Sequence, residues 1–219
     1  MSANNSARML GLIGGLGVEA HKAVGRIPRL LIAHADVGRV LALVRDGRSG
    51  DLAGYLGDLA DRLYAAGASI GAVAAVTPHL YFSEITQACR LPFVNLVDEL
   101  AHEIRVRRVR RIALFGTRFI IESSLLDGVG VEVVRPVEAD VDRIHALYLE
   151  IVGAGHSTEA IRAELREIAL QLCRRDHVET IVLAGTELAL AFNETTAGFP
   201  AIDCTRLHIA GIMRRIVEL

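Results

Sequence analysis

The stretch "IGAVAAVTPHLYF", residues 70–82, begins with an unbroken apolar run and changes character abruptly at Thr77, Pro78 and His79. A strand with one exposed face alternates polar and apolar residues, whereas an unbroken apolar run is typical of a strand covered on both faces, as in parallel sheets. The stretch therefore predicts a buried strand whose C-terminal end presents a hydroxyl group and an imidazole.

Apolar runs of the same kind recur along the chain, separated by stretches with helical periodicity. The runs cover residues 9–14, 29–35, 91–96, 111–116, 131–136, 180–185 and 199–203. Amphipathic helices are predicted over residues 51–68, 141–152 and 157–176, followed by a last helix from about Cys204 to the C terminus. Alternating strands and helices predict an α/β fold, with mainly parallel sheets flanked by helices.

The two halves of the chain also resemble each other. The segment "GLIGGLG" (11–17) is answered by "ALFGTRF" (113–119), "AAVTPHLYF" (74–82) by "VLAGTELALAF" (182–192), and "LPFVNLVDEL" (91–100) by "FPAIDCTRLH" (199–208). Three pairs in the same order, at a nearly constant separation, predict two pseudo-symmetric lobes with an active-site cleft between them. We expect the lobes to span residues 1–100 and 101–219, with the C-terminal helix packing back on the first.

The composition excludes several classes of protein. A net charge of -2, with one basic run at residues 105–111, argues against nucleic-acid binding, which needs a clustered excess of Lys and Arg. No apolar run approaches the roughly 20 residues of a membrane-spanning helix. The polar N terminus lacks the apolar core of a signal peptide, so we expect a cytoplasmic protein. The cysteines and histidines show no metal-ligand spacing, and neither a bound metal nor a disulfide framework is predicted.

The glycine-rich turn near the N terminus allows a second hypothesis. Gly15, Gly17 and Ala20 fit the pattern G-x-G-x-x-A after a strand, and Asp36 lies 21 residues beyond Gly15. This is the spacing of a dinucleotide-binding fingerprint, in which glycines let the backbone approach a pyrophosphate and the acid holds a ribose. A tight turn between strand and helix needs the same glycines, however, and the second half adds no separate substrate domain. A dinucleotide-dependent oxidoreductase is therefore a secondary hypothesis.

Polar side chains follow the ends of three predicted strands. Thr117 and Arg118 offer a hydroxyl and a guanidinium beside the amide groups of a helix start, a combination suited to a carboxylate. A helix cap beside a surface arginine would have the same sequence. Thr77 and Thr186 each follow a strand as well, and their hydroxyls can donate to the same kind of ligand. These residues are candidates for carboxylate binding.

Three ionisable side chains also lie just after predicted strands. His79 and Glu187 could exchange protons with a ligand, although a histidine in a loop and a glutamate at a helix start are also common for structural reasons. Cys204 lies at a helix N terminus, where the pKa of a thiol can be lowered, but a small buried hydrophobe is its commoner role.

The ordered motifs "GLIGGLG", "VTPHLYF", "LPFVNLVDE", "LFGTRF", "LAGTEL" and "FPAIDCTRLHIA" resemble the aspartate/glutamate racemase superfamily, in particular its aspartate racemase branch. The resemblance covers nearly the whole chain. It implies two pseudo-symmetric α/β lobes, an active site between them, a small amino acid or carboxylate as ligand, no cofactor, and a homodimer. It also implies that one cysteine takes a proton from Cα and a second returns it from the other face.

The chain departs from this family at both cysteine positions. Ala75 and Gly185 stand where the resemblance expects the two thiols, and neither side chain can move a proton. The carboxylate-binding candidates Thr77, Thr117, Arg118 and Thr186 are kept. Proton transfer would then fall to His79 or Glu187, with Asp36 and Cys204 as further candidates.

Two functions are compatible with this pattern. One is cofactor-independent isomerase or lyase chemistry at the acidic C–H of a small amino acid or carboxylate. The alternative is a non-catalytic carboxylate-binding or regulatory relative that has lost racemase activity with its two cysteines. The stretch from Val18 to Arg29 is also barely long enough for a βαβ crossover, which suggests a deletion or an omitted segment near residues 18–22.

Overall fold

The structure, a computed structural model, describes Met9–Ile13 and Arg29–Val217. The polypeptide forms two compact units, the first comprising Met1–Asn95 and Ile209–Leu219 and the second Leu96–His208. The predicted glycine-rich turn at Gly15, Gly17 and Ala20 lies outside the described residues, as does the suspected deletion. None of the helices in the described ranges is long and apolar enough to cross a membrane.

The first unit contains a three-stranded parallel sheet. Its strands are β1 (Leu10–Ile13), β2 (Leu30–Ala33) and β3 (Ile70–Val73), in the order β2-β1-β3. Helices α1 (Val37–Arg45) and α2 (Ser49–Ala65) lie between β2 and β3, and a 3-10 turn (Thr77–Tyr81) leads from β3 into α3 (Phe82–Gln87). The amphipathic helix predicted over residues 51–68 corresponds to α2, and its residues Leu52 and Leu56 are buried, at 0% and 1% exposure.

The strand predicted over residues 91–96 is wrong. Only Phe93 pairs with the sheet, through an isolated parallel bridge to Gly71. The Gly71 amide donates a hydrogen bond to the Pro92 carbonyl at 2.8 Å, and the Gly71 carbonyl accepts one from the Val94 amide at 2.9 Å. These two bonds lie on either side of Phe93. Pairing stops there because the next helix begins at Leu96.

The second unit contains a four-stranded parallel sheet. Its strands are β4 (Arg111–Phe115), β5 (Glu132–Val133), β6 (Thr180–Leu183) and β7 (Ala201–Asp203), in the order β5-β4-β6-β7. Its helices are α4 (Leu96–Arg107), α5 (Arg118–Ile121), α6 (Glu138–Ala154), α7 (Glu159–Arg175) and the first residues of α8 (Cys204–Val217), and a second 3-10 turn covers Thr186–Leu190. Thr158 caps α7, because its hydroxyl accepts a hydrogen bond from the Ile161 amide at 3.2 Å.

The two units share one topology, as the sequence repeats predict. The order β2-β1-β3 followed by the Phe93 bridge corresponds to β5-β4-β6-β7. In each unit a 3-10 turn that starts at a threonine follows a fully buried strand, at Thr77 after β3 and at Thr186 after β6. The α/β class with parallel sheets flanked by helices is confirmed.

The register of the second sheet determines what can meet at its edge. Phe115 pairs with Leu183, and Leu183 pairs with Asp203, so these strands end level with one another. Parallel strands place their C-terminal ends at a common edge, where ligands bind in open α/β sheets. The segments that follow β4 and β6 therefore lie side by side. Helix α6 packs against the sheet of this unit and against its 3-10 turn, Thr186–Leu190.

Candidate functional site

Glu187 lies in the 3-10 turn after β6, and only 9% of its surface is exposed. Its Oε2 atom accepts hydrogen bonds from the phenol of Tyr148 at 2.5 Å and from the hydroxyl of Thr186 at 2.8 Å. The Oε1 atom accepts no hydrogen bond from the residues that the structure describes. The described residues thus hold the carboxylate through one of its two oxygens.

Tyr148, on α6, is the residue of this site that the sequence reasoning missed. It is 8% exposed, and burial, reinforced by the neighbouring Glu187 carboxylate, raises the pKa of its phenol. Tyr148 therefore stays protonated and acts as a donor. A signal was available, because Tyr148 follows Ile144 at helical spacing on the apolar face of α6. A tyrosine on such a face indicates a buried hydroxyl that needs a partner.

Gly185 lies directly against the ring of Tyr148. A Cβ atom added at Gly185 would lie 2.5 Å from Cε2, 2.8 Å from Cζ and 3.0 Å from the phenolic oxygen of Tyr148. Such distances are far inside van der Waals contact, so no side chain fits at position 185 while Tyr148 keeps its place. The position where the resemblance expects the second thiol is filled by a phenol from another helix.

The guanidinium of Arg118 is surrounded by carboxylates. One nitrogen donates to Glu122 at 2.5 Å and to Glu138 at 2.8 Å, and the other terminal nitrogen donates to Asp142. These bonds use three of the five N–H donors of the guanidinium, so a ligand carboxylate would share its charge with these partners. Arg118 is therefore already neutralised in this structure, although it follows the strand end where a carboxylate-binding residue was predicted.

Thr117 has a capping role beside Arg118. Its hydroxyl accepts a hydrogen bond from the Ile120 amide at 3.3 Å, which starts the short helix α5. The Arg118 amide donates to Nδ1 of His145 at 3.3 Å. His145 lies on α6 one turn before Tyr148, so this helix supplies a polar side chain beside each of the loops that follow β4 and β6.

His79 belongs to the first unit and is 5% exposed. Its Nδ1 atom lies 2.9 Å from the carbonyl oxygen of Ala75, and its ring stacks on Phe82 with a centroid distance of 5.4 Å. A carbonyl can only accept, so Nδ1 carries a proton and Nε2 is the basic nitrogen of the neutral imidazole. His79 therefore holds the backbone at the position of the first expected thiol. Thr77, half-buried, starts the same 3-10 turn.

The contacts of Asp36 and Cys204 are of a structural kind. Asp36 is exposed and caps α1, since its Oδ1 atom accepts from the Arg39 amide at 2.9 Å. Cys204 is 1% exposed, and burial, followed by the Asp203 charge, raises the pKa of its thiol. This is opposite to the lowering that a helix N terminus alone would cause. No three His, Cys, Asp or Glu side chains of the described ranges are grouped to hold a metal ion.

Known proteins with solved structures share this fold along nearly their whole length. A crystal structure of a candidate Asp/Glu racemase from Yersinia pestis matches with a TM-score of 0.81 and 25% identity, covering 96% of this chain and 99% of that one. An aspartate racemase homologue from Pyrococcus horikoshii matches with a TM-score of 0.76 and 24% identity, over 95% and 99% of the two chains. The aspartate racemase of Picrophilus torridus gives 0.69 and 19%, over 95% and 94%.

The sequence itself matches a family model described as Asp/Glu/hydantoin racemase over residues 17–212. This range includes both 3-10 turns and the Tyr148–Glu187 pair. The resemblance seen in the motifs is therefore confirmed, and the chain belongs to the Asp/Glu/hydantoin racemase family.

Proposed function

We propose that this protein transfers a proton at the acidic C–H of a small amino acid or carboxylate, without a cofactor, and that Glu187 and His79 are its proton-transfer groups. The observation that carries the proposal is the buried Glu187 carboxylate, held through one oxygen by Tyr148 and Thr186. A fixed carboxylate at the end of a parallel strand has the geometry of a general base. Membership of a racemase family supports the reaction class.

Glu187 would act through its Oε1 atom. The proton of the substrate Cα–H passes to Oε1, and the electron pair of the C–H bond stays on the substrate as an enolate. Because the Tyr148 and Thr186 hydroxyls both bond to Oε2, the carboxylate cannot rotate freely while this happens. Burial excludes competing water, which strengthens these hydrogen bonds.

His79 would act through Nε2. Its Nδ1–H group bonds to the Ala75 carbonyl, and this bond fixes both the tautomer and the ring orientation. Stacking on Phe82 restricts the ring further. An imidazole with a fixed tautomer can accept a proton at Nε2 and return it, which the alanine at position 75 cannot do.

The substrate carboxylate would be bound by hydroxyl and guanidinium groups at the strand ends. We retain Thr77, Thr117, Arg118 and Thr186 in this role. Thr186 already donates to Glu187, so a substrate there would share that hydroxyl or replace the bond. Arg118 would exchange one of its acidic partners for the ligand, as expected for a charge held on the surface by weak pairs.

Hydrogen exchange at Cα tests the proposal. The protein is incubated in D2O with L-aspartate, L-glutamate and related acids, and loss of the Cα–H signal is followed by NMR. We expect exchange with at least one acid, and a rate lower by roughly 10²- to 10⁴-fold in Glu187→Gln and in His79→Gln. Glu150→Gln, an exposed glutamate on α6, is the matched control and should exchange at the wild-type rate. Measurable binding of these acids without exchange would contradict the proposal.

A second candidate function is non-catalytic carboxylate binding. It is favoured by one observation: neither Ala75 nor Gly185 carries an ionisable side chain, and Tyr148 fills the second position. Calorimetric binding of aspartate or glutamate, unaffected by Glu187→Gln and accompanied by no exchange, is its expected result.

A homodimer and a cytoplasmic location complete the proposal. The first follows from the family resemblance and is tested by light scattering of the purified protein, which should give twice the mass of one chain. The second remains a prediction and is tested by cell fractionation. Neither changes the roles assigned to Glu187 and His79.

A further inference from the structure

Gly185 and Tyr148 are sterically matched across two elements of the second unit. The Tyr148 phenolic oxygen lies 3.0 Å from the place of a Cβ atom at Gly185 and 2.5 Å from Oε2 of Glu187. A cysteine side chain at position 185 and this phenol would occupy the same volume. The phenol therefore reaches, from α6, the place to which a thiol would reach from the turn after β6.

We propose that Tyr148 is a positioning residue that replaces the missing thiol, because its ring fills the space beside Gly185 and its hydroxyl fixes Glu187 for proton transfer. The inference rests on the proposed function for the reaction itself. It adds that the place of the missing cysteine is filled by Tyr148 and that its role passes to another residue. In this chain the proton is carried by the Glu187 carboxylate, two residues further along, which is oriented by a tyrosine.

The hydroxyl of Tyr148 carries this role, beyond the packing of its ring. A hydrogen bond from a neutral donor to a carboxylate is short and strong, and 2.5 Å is at the short end of that class. Burial and the Glu187 charge raise the pKa of Tyr148, so its proton remains available to this bond throughout the neutral range. Without the phenolic proton, Thr186 alone would hold Oε2.

The proton balance is simple. Oε1 of Glu187 takes a proton from Cα, the C–H electron pair remains on the substrate, and the protonated carboxyl group returns a proton or a deuteron to the same carbon. Tyr148 keeps its own proton in every step. Its contribution is to hold Oε2, so that Oε1 is the oxygen that faces the substrate.

Tyr148→Phe separates the two functions of this side chain, since it keeps the ring and removes the hydroxyl. We expect the exchange rate of L-aspartate or L-glutamate at saturation to fall by roughly 10- to 100-fold, the usual loss for a residue that orients another. The dissociation constant of the acid should change less than twofold. The matched control is Tyr64→Phe, which removes the hydroxyl of an exposed tyrosine on α2 and should leave the rate unchanged.

A titration tests the pair without relying on activity. In protein labelled with 13C at the tyrosine Cζ carbon, the Tyr148 signal is assigned by its loss in Tyr148→Phe. Replacing the charged carboxylate by Glu187→Gln should lower the pKa of Tyr148, because the Glu187 charge helps to raise it. An unchanged Tyr148 titration in Glu187→Gln would overturn the inference.

The two proposals fail in different ways. Wild-type exchange in Tyr148→Phe, while Glu187→Gln is inactive, overturns the positioning role and leaves the proposed function standing. Absence of exchange in the wild type, with binding intact, overturns the proposed function and this role with it. A selective loss of rate in Tyr148→Phe together with a lowered Tyr148 pKa in Glu187→Gln supports both.

Discussion

The ring of Tyr148 occupies the space where a side chain on Gly185 would begin, with its Cε2 atom 2.5 Å from the position of a Cβ atom there. Position 185 is one of the two places where family resemblance expects a thiol. Its glycine is therefore required by a neighbour, and the two residues must be considered as a pair. Substitutions at one of them should be judged by what stands at the other.

We predict that Gly185→Ala destabilises the protein by about 1–3 kcal/mol, the usual cost of overpacking a buried position. The free energy of unfolding is measured by urea denaturation. The control is Gly153→Ala on α6, where an added Cβ meets no atom within 4 Å and the change should be neutral or slightly stabilising.

The steric origin of this cost is tested in a double-mutant cycle. With Tyr148→Ala as the background, the ring is gone and Gly185→Ala should cost clearly less than in the wild type. An equal cost in both backgrounds would mean that Tyr148 is not the residue that excludes a side chain at position 185.

We predict that Tyr148 makes the stability of the protein sensitive to alkaline pH. Burial and the Glu187 charge raise the pKa of Tyr148 in the folded state, whereas in the unfolded chain it ionises near the ordinary tyrosine value of about 10. Its contribution is thus fully present below pH ~10 and is lost as the pH rises further, because the unfolded chain then binds fewer protons than the folded one.

Urea denaturation between pH 8 and 11 measures this effect. Tyr148→Phe should lose stability less steeply above pH ~10 than the wild type. Burial also raises the pKa of Cys204, which adds a loss of the same sign in both proteins from about pH 8.5 upward. The relevant quantity is therefore the difference between wild type and variant, and a constant difference across this range would contradict the prediction.

The strands and the repeated topology could be predicted from the sequence because buried parallel strands have unbroken apolar sequences. The segment around Phe93 has the same composition but forms only one bridge, since pairing partners and helix starts are not encoded in a local run. Glu187 was predicted as a candidate, whereas its partner Tyr148 was not. The contact joins residues 39 positions apart, and no local pattern reports which side chain from α6 reaches the turn after β6.

The same limit applies to Arg118. Its position after β4 suggested a free cation for a carboxylate ligand, but two of its acidic partners, Glu138 and Asp142, come from α6 and lie 20 and 24 residues away. Helix α6 thus shapes both candidate loops of the second unit. A prediction based on strand ends alone does not include the side chains of the helix that packs beside them.

We predict that neutralising the partners of Arg118 strengthens the binding of acidic ligands. In the double variant Glu138→Gln, Asp142→Asn the guanidinium keeps fewer competing carboxylates, and affinity for L-aspartate should rise about two- to fivefold, as expected for exposed ion pairs. Calorimetry at low ionic strength measures the change. Arg118→Gln should weaken binding and abolish the gain. No change in either variant would remove Arg118 from the binding site.

Asp203 provides a prediction about acid stability. It is 2% exposed, and its Oδ1 atom accepts from the Thr205 and Arg206 amides at 2.9 and 3.2 Å. Its Oδ2 atom is buried without a hydrogen-bond partner among the described residues, and Arg206 Nε lies 3.7 Å away. Desolvation raises the pKa of this carboxyl group.

Because the folded pKa of Asp203 is raised, its contribution is most favourable below the unfolded value of about 3.9 and is lost as the pH rises. Asp203→Asn keeps a capping oxygen without the buried charge. We predict a gain of about 1 kcal/mol relative to the wild type at pH 7, where the wild-type carboxylate is a desolvated charge, and a smaller gain near pH 4, where protonation partly removes that charge. Thermal unfolding at both pH values measures it, and a gain that is larger at pH 4 would contradict the assignment.

Introducing the two expected thiols should create racemase chemistry only when Tyr148 is also replaced. Ala75 already carries a Cβ atom and is half-buried, so Ala75→Cys adds a thiol to an existing side chain. Gly185→Cys instead collides with the Tyr148 ring. The double variant Ala75→Cys, Gly185→Cys should therefore be destabilised and should racemise L-aspartate no faster than the wild type, whereas adding Tyr148→Ala should relieve the collision.

In the triple variant we expect D-aspartate to form at least roughly 10²-fold faster than in the double variant, the lower bound for a positioned acid–base group, as measured by chiral chromatography. Omitting either cysteine from the triple variant should remove this gain, because two-thiol racemisation needs a thiol on each face of Cα. A gain of the same size in the double variant, with Tyr148 in place, would show that the ring can move aside, and Tyr148 would then no longer account for the glycine at position 185.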